Sequence, residues 1–308
     1  MKAIAINRYG GPEVVEYLDL PDPKLAPDAV LVRVRAAGVN PVDRQVREGL
    51  VDAVLDVHFP LVLGWDAAGV VERVGPGVTE YQVGDKVMGY VRKDSVQHGT
   101  YAELVAAPVR TLAHKPASLD WAQAGGLPLA GLTAYQGLRD ALAVKPGETV
   151  LIHAAAGGVG SFATQIAVAL GARVIGTAGE HNHEYLRSLG AEPVRYGSGL
   201  VDRVRALAPQ GVDAAFDLVG GPALAASREL VADPGRIASI VDPAVLDLGG
   251  RFVFVRPDAA DLAALADLAD AGRLTVNVAA TFPLAQAASA QSLNAEGRTR
   301  GKIVLTVD

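Results

Sequence analysis

Thr149-Val150-Leu151-Ile152-His153-Ala154-Ala155-Ala156-Gly157-Gly158-Val159-Gly160 is the stretch that decides the architecture. Its first five residues form a short apolar run, consistent with a strand buried on both faces, and residues 161–170 follow with helical periodicity. A glycine-rich turn between such a strand and helix lets backbone N–H groups approach a dinucleotide pyrophosphate without a Cβ clash. The helix N-terminus adds positive partial charge. From Ala155 the spacing reads AxGxxG, with alanine where the fingerprint has its first glycine. Alone, such a string is also a plain tight turn; the strand before it and the helix after it make it a dinucleotide-binding loop. The candidate contacts are Ala156, Gly157, Gly158, Val159 and Gly160.

Working outward, a second strand and helix fit residues 173–177 and 184–189, with Gly190 closing the helix at C′. Further strands fit 193–196, 212–218, 236–241 and 251–255, with helices at 201–207 and 223–230. This βαβ order predicts a parallel, doubly wound sheet. Up to about residue 120 the texture differs: short alternating segments at 30–34 and 70–74 lie among turns such as Gly75-Pro76-Gly77 and Gly84-Asp85-Lys86. That half predicts a mostly-β domain of barrel-like or sandwich-like character. A helical Ala/Leu pattern covers 120–137, and a helix at 259–271 with a strand at 302–307 restores the first texture. The expected division is therefore 1–120 with 256–308 as one discontinuous domain, and 121–255 as the cofactor domain.

A chain of 308 residues, 50% hydrophobic and 20% charged, has enough apolar material for two cores and is not a disordered protein. A net charge of -6 without a Lys/Arg run argues against nucleic acid or an anionic membrane as partner, and for a small molecule or a protein. Zero cysteines remove disulfides, thiolate nucleophiles, iron–sulfur clusters and sulfur-based zinc sites. No apolar run approaches the ~18 residues of a membrane span, so a soluble cytoplasmic protein is expected.

An acid that binds a ribose 2′-hydroxyl belongs at the end of the second strand, where this chain has Thr177-Ala178-Gly179. The missing carboxylate favours the 2′-phosphate of NADPH, while Glu180, just beyond, opposes it. With Gly179, the loop offers His181, Asn182, His183 and Arg187 as neutral or cationic partners, and His181 and His183 could equally belong to a solvated loop.

Seven ordered motifs span the chain: Gly10-Gly11-Pro12-Glu13-Val14, Ala36 to Asp43, Gly64 to Val71, Val83 to Val87, Leu127 to Tyr135, Ala154 to Gly160 and Arg300 to Leu305. Together they resemble the zinc-free quinone oxidoreductases, zeta-crystallin-like members of the medium-chain dehydrogenase/reductase superfamily. The resemblance implies a GroES-like mostly-β catalytic domain and a Rossmann domain holding NADPH. It implies hydride transfer to a quinone or similar electron-poor acceptor. Asn40, Asp43 and Gln45 would line the acceptor cleft, with Gln45 standing where relatives often carry a tyrosine. Asn40, Thr133, Tyr196, Phe254, Val255 and Lys302 would contact the cofactor, while Gly64, Asp66 and Gly69 would serve the fold. Asp43 could instead cap the short helix it opens.

Zinc alcohol dehydrogenases of the superfamily carry Cys, His and Cys near the places of Asn40, Trp65 and Ala130, none of which can ligate zinc here. His58, His98 and His114 show no ligand spacing. An alkenal/enone or enoyl-thioester reductase, and a cofactor-binding protein with little turnover, remain alternatives. The apolar strand at 251–255, with no Pro or Lys to blunt it, predicts pairing across a two-fold axis into a homodimer, as in similar proteins.

Overall fold

The computed structural model describes residues 1–308. From the N-terminus run β1 (Lys2–Ile6), β2 (Glu16–Asp19), β3 (Ala29–Val39), α1 (Pro41–Arg47), β4 (Asp56–Val62), β5 (Asp66–Val74), β6 (Lys86–Tyr90), β7 (Ser95–His98), β8 (Leu104–Pro108), β9 (Leu112–His114), α2 (Trp121–Gly126) and α3 (Pro128–Gln136). There follow β10 (Thr149–Ile152), α4 (Gly158–Ala169), β11 (Arg173–Ala178), α5 (His183–Ser188), β12 (Ala191–Arg195), α6 (Leu200–Leu207), β13 (Ala214–Asp217), α7 (Pro222–Leu230), β14 (Ile237–Ser239) and β15 (Arg251–Phe252). The chain ends with α8 (Ala259–Asp270), β16 (Val278–Pro283), α9 (Ala287–Ala295) and β17 (Lys302–Thr306). Two compact units result: Met1–Leu132 with Pro257–Gly272 and Val276–Asp308, and Thr133–Arg256 with Arg273–Thr275.

In the second unit six strands pair in parallel, in the order β12-β11-β10-β13-β14-β15. The succession starts centrally at β10, moves out to β12, then crosses to β13 and moves out the other way. The reversal between β10 and β13 is the topological switch point at which doubly wound sheets bind ligands. Val150, Leu151, Ile152, Val174, Ile175, Ala214, Ala215 and Phe216 are all buried, which is why these strands read as continuous apolar runs. Leu151, Ile175, Val204, Ala215, Leu224 and Ile237 meet in one core cluster under the crossover helices.

The first unit holds a seven-stranded sheet, ordered β16-β17-β3-β5-β6-β9 with β8 also on β3, and a four-stranded sheet ordered β2-β1-β4-β7. Strand β3 organises the larger sheet. It pairs with β8 over its first half, with β5 along most of its length and with β17 at its end, and two register shifts against β5 bend it. Pairing Ile303 with Val39 sets Lys302 beside the start of α1. Gly64 sits at φ +87°, and a Cβ there would fall 2.1 Å from the Tyr101 ring. A Cβ on Gly69 would fall 2.1 Å from the Arg33 carbonyl oxygen. Both glycines therefore serve close backbone approach.

Four expectations need correction. The helix expected over 120–137 is two helices, broken where Pro128 can donate no backbone hydrogen bond. Its first part belongs to the first unit, because Gly125 packs directly on Ala36 of β3, so the division falls after Leu132 rather than at 120. In return Arg273–Thr275 joins the second unit, where the Thr275 N–H donates to Gln165 Oε1 at 2.8 Å. The strand expected over 251–255 is paired only at Arg251–Phe252, because its partner β14 spans just three residues; one further bond runs from Val253 N–H to Ser239 O. Finally, β12 ends at Arg195, which leaves Tyr196 outside the sheet and exposed. No helix is long and apolar enough to cross a membrane.

Candidate active site

The first unit gathers a buried polar network around the start of α1. Pro41 at its first turn pre-sets the helix, and the Asp43 carboxylate reaches back to accept from the Asn40 N–H at 2.7 Å. Asp43 also accepts from the Tyr101 hydroxyl at 2.7 Å. Asp43 is 1% exposed, so it does not line a cleft as expected; it is the helix cap that the local i,i+3 spacing also allowed. Burial pushes its carboxyl up to about 7, against the lowering effect of the Tyr101 and Asn40 hydrogen bonds.

Asn40 is equally committed. Its Oδ1 accepts from the Lys302 ammonium, and its Nδ2 donates to Asp66 Oδ2 at 2.9 Å. Lys302 also donates to the Val39 carbonyl at 3.3 Å and lies 4.0 Å from Asp66. The other Asp66 oxygen accepts from the Leu129 N–H at 2.7 Å, at the start of α3. Burial pushes Asp66 up to about 6 and lowers Lys302, each effect opposed by the charge of the other. Asp66 thus joins three segments of the first unit through a cation, an amide and a helix N-terminus.

Trp65 and Ala130 are buried, and Trp65 packs against the Tyr90 ring at 6.0 Å. His58 pairs with Asp56, and the His114 ring lies 5.2 Å from that of Tyr81. No three His, Asp or Glu side chains converge as a metal site would require. Gln45 is exposed on α1, and Thr133 is buried in α3.

In the second unit the glycine loop is shaped by its neighbours. Ala154 takes the left-handed region at φ +49°, held by its N–H bond to Thr177 Oγ1 at 3.1 Å and by the Ala155 N–H bond to the Thr177 carbonyl at 3.0 Å. His153, at the end of β10, is buried and kept neutral, its ring pushed down to about 4 by desolvation. Its Nε2 lies 2.9 Å from Ser227 Oγ, whose one proton goes to the Ala223 carbonyl at 3.0 Å, so the imidazole donates. Asp217, at the end of β13, accepts from Val219 N–H, Gly220 N–H and the Ser239 hydroxyl.

The loop fits a pyrophosphate. Gly157 is the N-cap of α4 with no side chain capping the helix, and a Cβ on it would meet only the Ala154 oxygen, at 3.3 Å. Gly160 differs: a Cβ there would fall 2.2 Å from that oxygen and 2.7 Å from Ala155 Cα. Gly157 thus faces open space, whereas Gly160 serves helix-on-strand packing.

At the carboxyl ends of β11 and β12 lies a pocket of about 780 Å³, lined by Gly179, Glu180, His181, Arg195, Tyr196, Gly197, Ser198 and Arg203. The structure brings Gly179, His181 and Tyr196 together here, with Asn182 bonded to His181. Arg195 and Arg203 escaped the sequence reading. Arg195 stands opposite Ala178 in the β11–β12 register, and a basic residue closing the third strand was the signal for it. Phe254 and Val255 lie past the end of β15, apart from the pocket lining, with Phe254 exposed.

A doubly wound parallel sheet with an uncapped glycine loop, joined to a GroES-like β unit, defines a dinucleotide-dependent dehydrogenase or reductase. Residues 26–117 match the alcohol dehydrogenase GroES-like domain family, and residues 189–305 the zinc-binding dehydrogenase family. A quinone oxidoreductase of Pseudomonas aeruginosa is 36% identical over 99% of both chains. An NADPH-dependent alkenal/one oxidoreductase of Arabidopsis thaliana is 34% identical over 99% of this chain and 79% of its own. A mycobacterial protein solved with NADPH superposes with a TM-score of 0.85 over the whole of both chains, at 33% identity. The chain belongs to the quinone oxidoreductase family of the medium-chain dehydrogenase/reductase superfamily, and it is an oxidoreductase.

The two glycines separate binding from folding. Gly157→Val is expected to leave circular dichroism and thermal unfolding near wild type while abolishing quenching on NADPH addition. Gly160→Val is expected to lose stability by about 2 kcal/mol or more, from its backbone clash. Unimpaired cofactor binding by Gly157→Val would make the loop a turn and nothing else.

Proposed function

We propose that the chain is a zinc-independent, NADPH-dependent reductase of quinones or similarly electron-poor acceptors. The observation that carries this reading is the pocket at the end of β12, where Arg195 and Arg203 line the position at which an adenosine ribose reaches a doubly wound sheet. Gly157, Gly158 and the first turn of α4 would hold the pyrophosphate, Tyr196 would lie along the adenosine, and Arg195 would take the 2′-phosphate in a charge-assisted hydrogen bond. Bound there, the reduced nicotinamide supplies a hydride to an acceptor that needs orientation more than acid catalysis.

Zinc independence is supported by residue chemistry. Where the zinc relatives place a ligand, this chain has Asn40, whose side chain is already shared between Lys302 and Asp66. Lys302 and Asn40 act in this reading as a fixed polar wall, and Asp43 as the cap that orients it. An alkenal or enone reductase is the second reading, favoured by the name of the Arabidopsis relative. The net charge of -6 and the absence of cysteine support a cytoplasmic protein working on small molecules rather than on nucleic acid or membrane.

NADPH oxidation measured side by side with a quinone panel and a 2-enal panel, with and without a strong chelator, tests the proposal. Turnover of quinones, undiminished by the chelator, is expected. Loss of activity on chelation would overturn zinc independence, and turnover of enals alone would select the second reading.

We also propose a homodimer. β15 ends the sheet order, so its outer edge has no strand beside it, and Val241, Leu246, Phe252 and Phe254 around it are exposed. Such an edge is normally covered. Light scattering at micromolar concentration is expected to give the mass of two chains for wild type and one for Phe254→Lys; a wild-type monomer would contradict the pairing.

A further inference from the structure

Doubly wound dinucleotide sites discriminate at the ribose by one of two devices: a carboxylate for the 2′-hydroxyl, or an arginine for the 2′-phosphate. This chain carries both. Glu180 follows the end of β11 by two residues, and Arg195 closes β12 opposite Ala178, so the two discriminators stand at neighbouring strand ends and line the same pocket. They are paired with each other, Arg195 Nη1 donating to Glu180 Oε1 at 3.4 Å.

Resting on the reading that this unit binds a nicotinamide dinucleotide, we propose that Glu180 and Arg195 are an exchangeable ion pair that lets one pocket accept either NADPH or NADH. A 2′-phosphate draws Arg195 away from Glu180, whereas an unphosphorylated ribose leaves the pair in place and donates its hydroxyl to Glu180.

Two observations and one charge argument carry the exchange. The pair is loosely held: the side chains are 66% and 71% exposed, and such a surface pair is weak and screened by salt. The second arginine of the pocket is not available to move. Arg203 donates to the carbonyls of Arg195, Ser198, Gly197 and Tyr196 at 3.0, 2.9, 3.2 and 3.4 Å, which makes it the fixed cation that holds the 195–199 loop. Lastly, a phosphate dianion competes for Arg195 with a singly charged carboxylate that stays in the pocket. The preference for NADPH is therefore moderated by Glu180 and falls with ionic strength.

Dissociation constants for NADPH and NADH, measured by calorimetry on the full chain at low and high salt, test this in wild type, Glu180→Gln and Arg195→Gln. Wild type is expected to favour NADPH by about ten-fold at low salt and by less at high salt. Glu180→Gln should tighten NADPH several-fold and weaken NADH. Arg195→Gln should weaken NADPH by about ten-fold and leave NADH within about two-fold of wild type. An unchanged ratio in Glu180→Gln, or equal loss of both cofactors in Arg195→Gln, would overturn the exchange while leaving the cofactor reading intact. Failure of wild type to bind either cofactor would overturn the reading itself, and the exchange with it.

Discussion

One buried carboxylate, Asp66, holds the first unit together. It is fully buried and satisfies three segments far apart in sequence: the Asn40 amide at the start of α1, the Lys302 ammonium on β17 and the Leu129 N–H at the start of α3. A buried carboxylate without such partners is costly, and removing one partner of a buried ion pair typically costs about 3–5 kcal/mol because the other charge is stranded. Gly38 lies against the same group: a Cβ on it would fall 2.6 Å from the Gly125 carbonyl oxygen and 2.7 Å from the Asp66 carboxylate. The ends of β3, α1, α3 and β17 thus have to meet where they do.

That constraint also bears on chemistry. An ammonium and two carboxylates, one capping α1 and one between strands, fill the polar interior. With Asp43 near 7 and Asp66 near 6, both shifted upward by burial, the group carries less negative charge near neutral pH than its two acids would in water. The second unit works differently. The Glu180–Arg195 pair at its strand ends is exposed and loosely held, so it can respond to a charged ligand, whereas Arg203 is fixed on loop carbonyls.

The architecture was legible because its signals are local. A strand, an AxGxxG turn and a helix are adjacent in sequence, and the alternation that follows admits one sheet order with right-handed crossovers. The boundaries were less legible, since α2 has helical texture but its glycines pack on β3, a contact that no window of sequence displays. Asp43 was misplaced for a related reason: it lies beside Asn40 in a motif associated with the acceptor, yet its carboxylate turns back on its own helix. The Lys302–Asp66 contact and Tyr101 were invisible because they join strands distant in the chain. Arg195 was overlooked because the search for a ribose partner stayed in the loop after the second strand, whereas the β11–β12 register brings the end of the third to the same place.

A double-mutant cycle on Asp66 and Lys302, followed by chemical denaturation at pH 7, tests most directly whether this network carries the first unit. Lys302→Met alone is expected to cost about 3–5 kcal/mol. Asp66→Asn with Lys302→Met should cost at least about 1 kcal/mol less than the sum of the two single variants, because no unpaired charge is then left inside. Losses that add to within about 0.5 kcal/mol would show the two groups to be energetically independent, and would contradict the account.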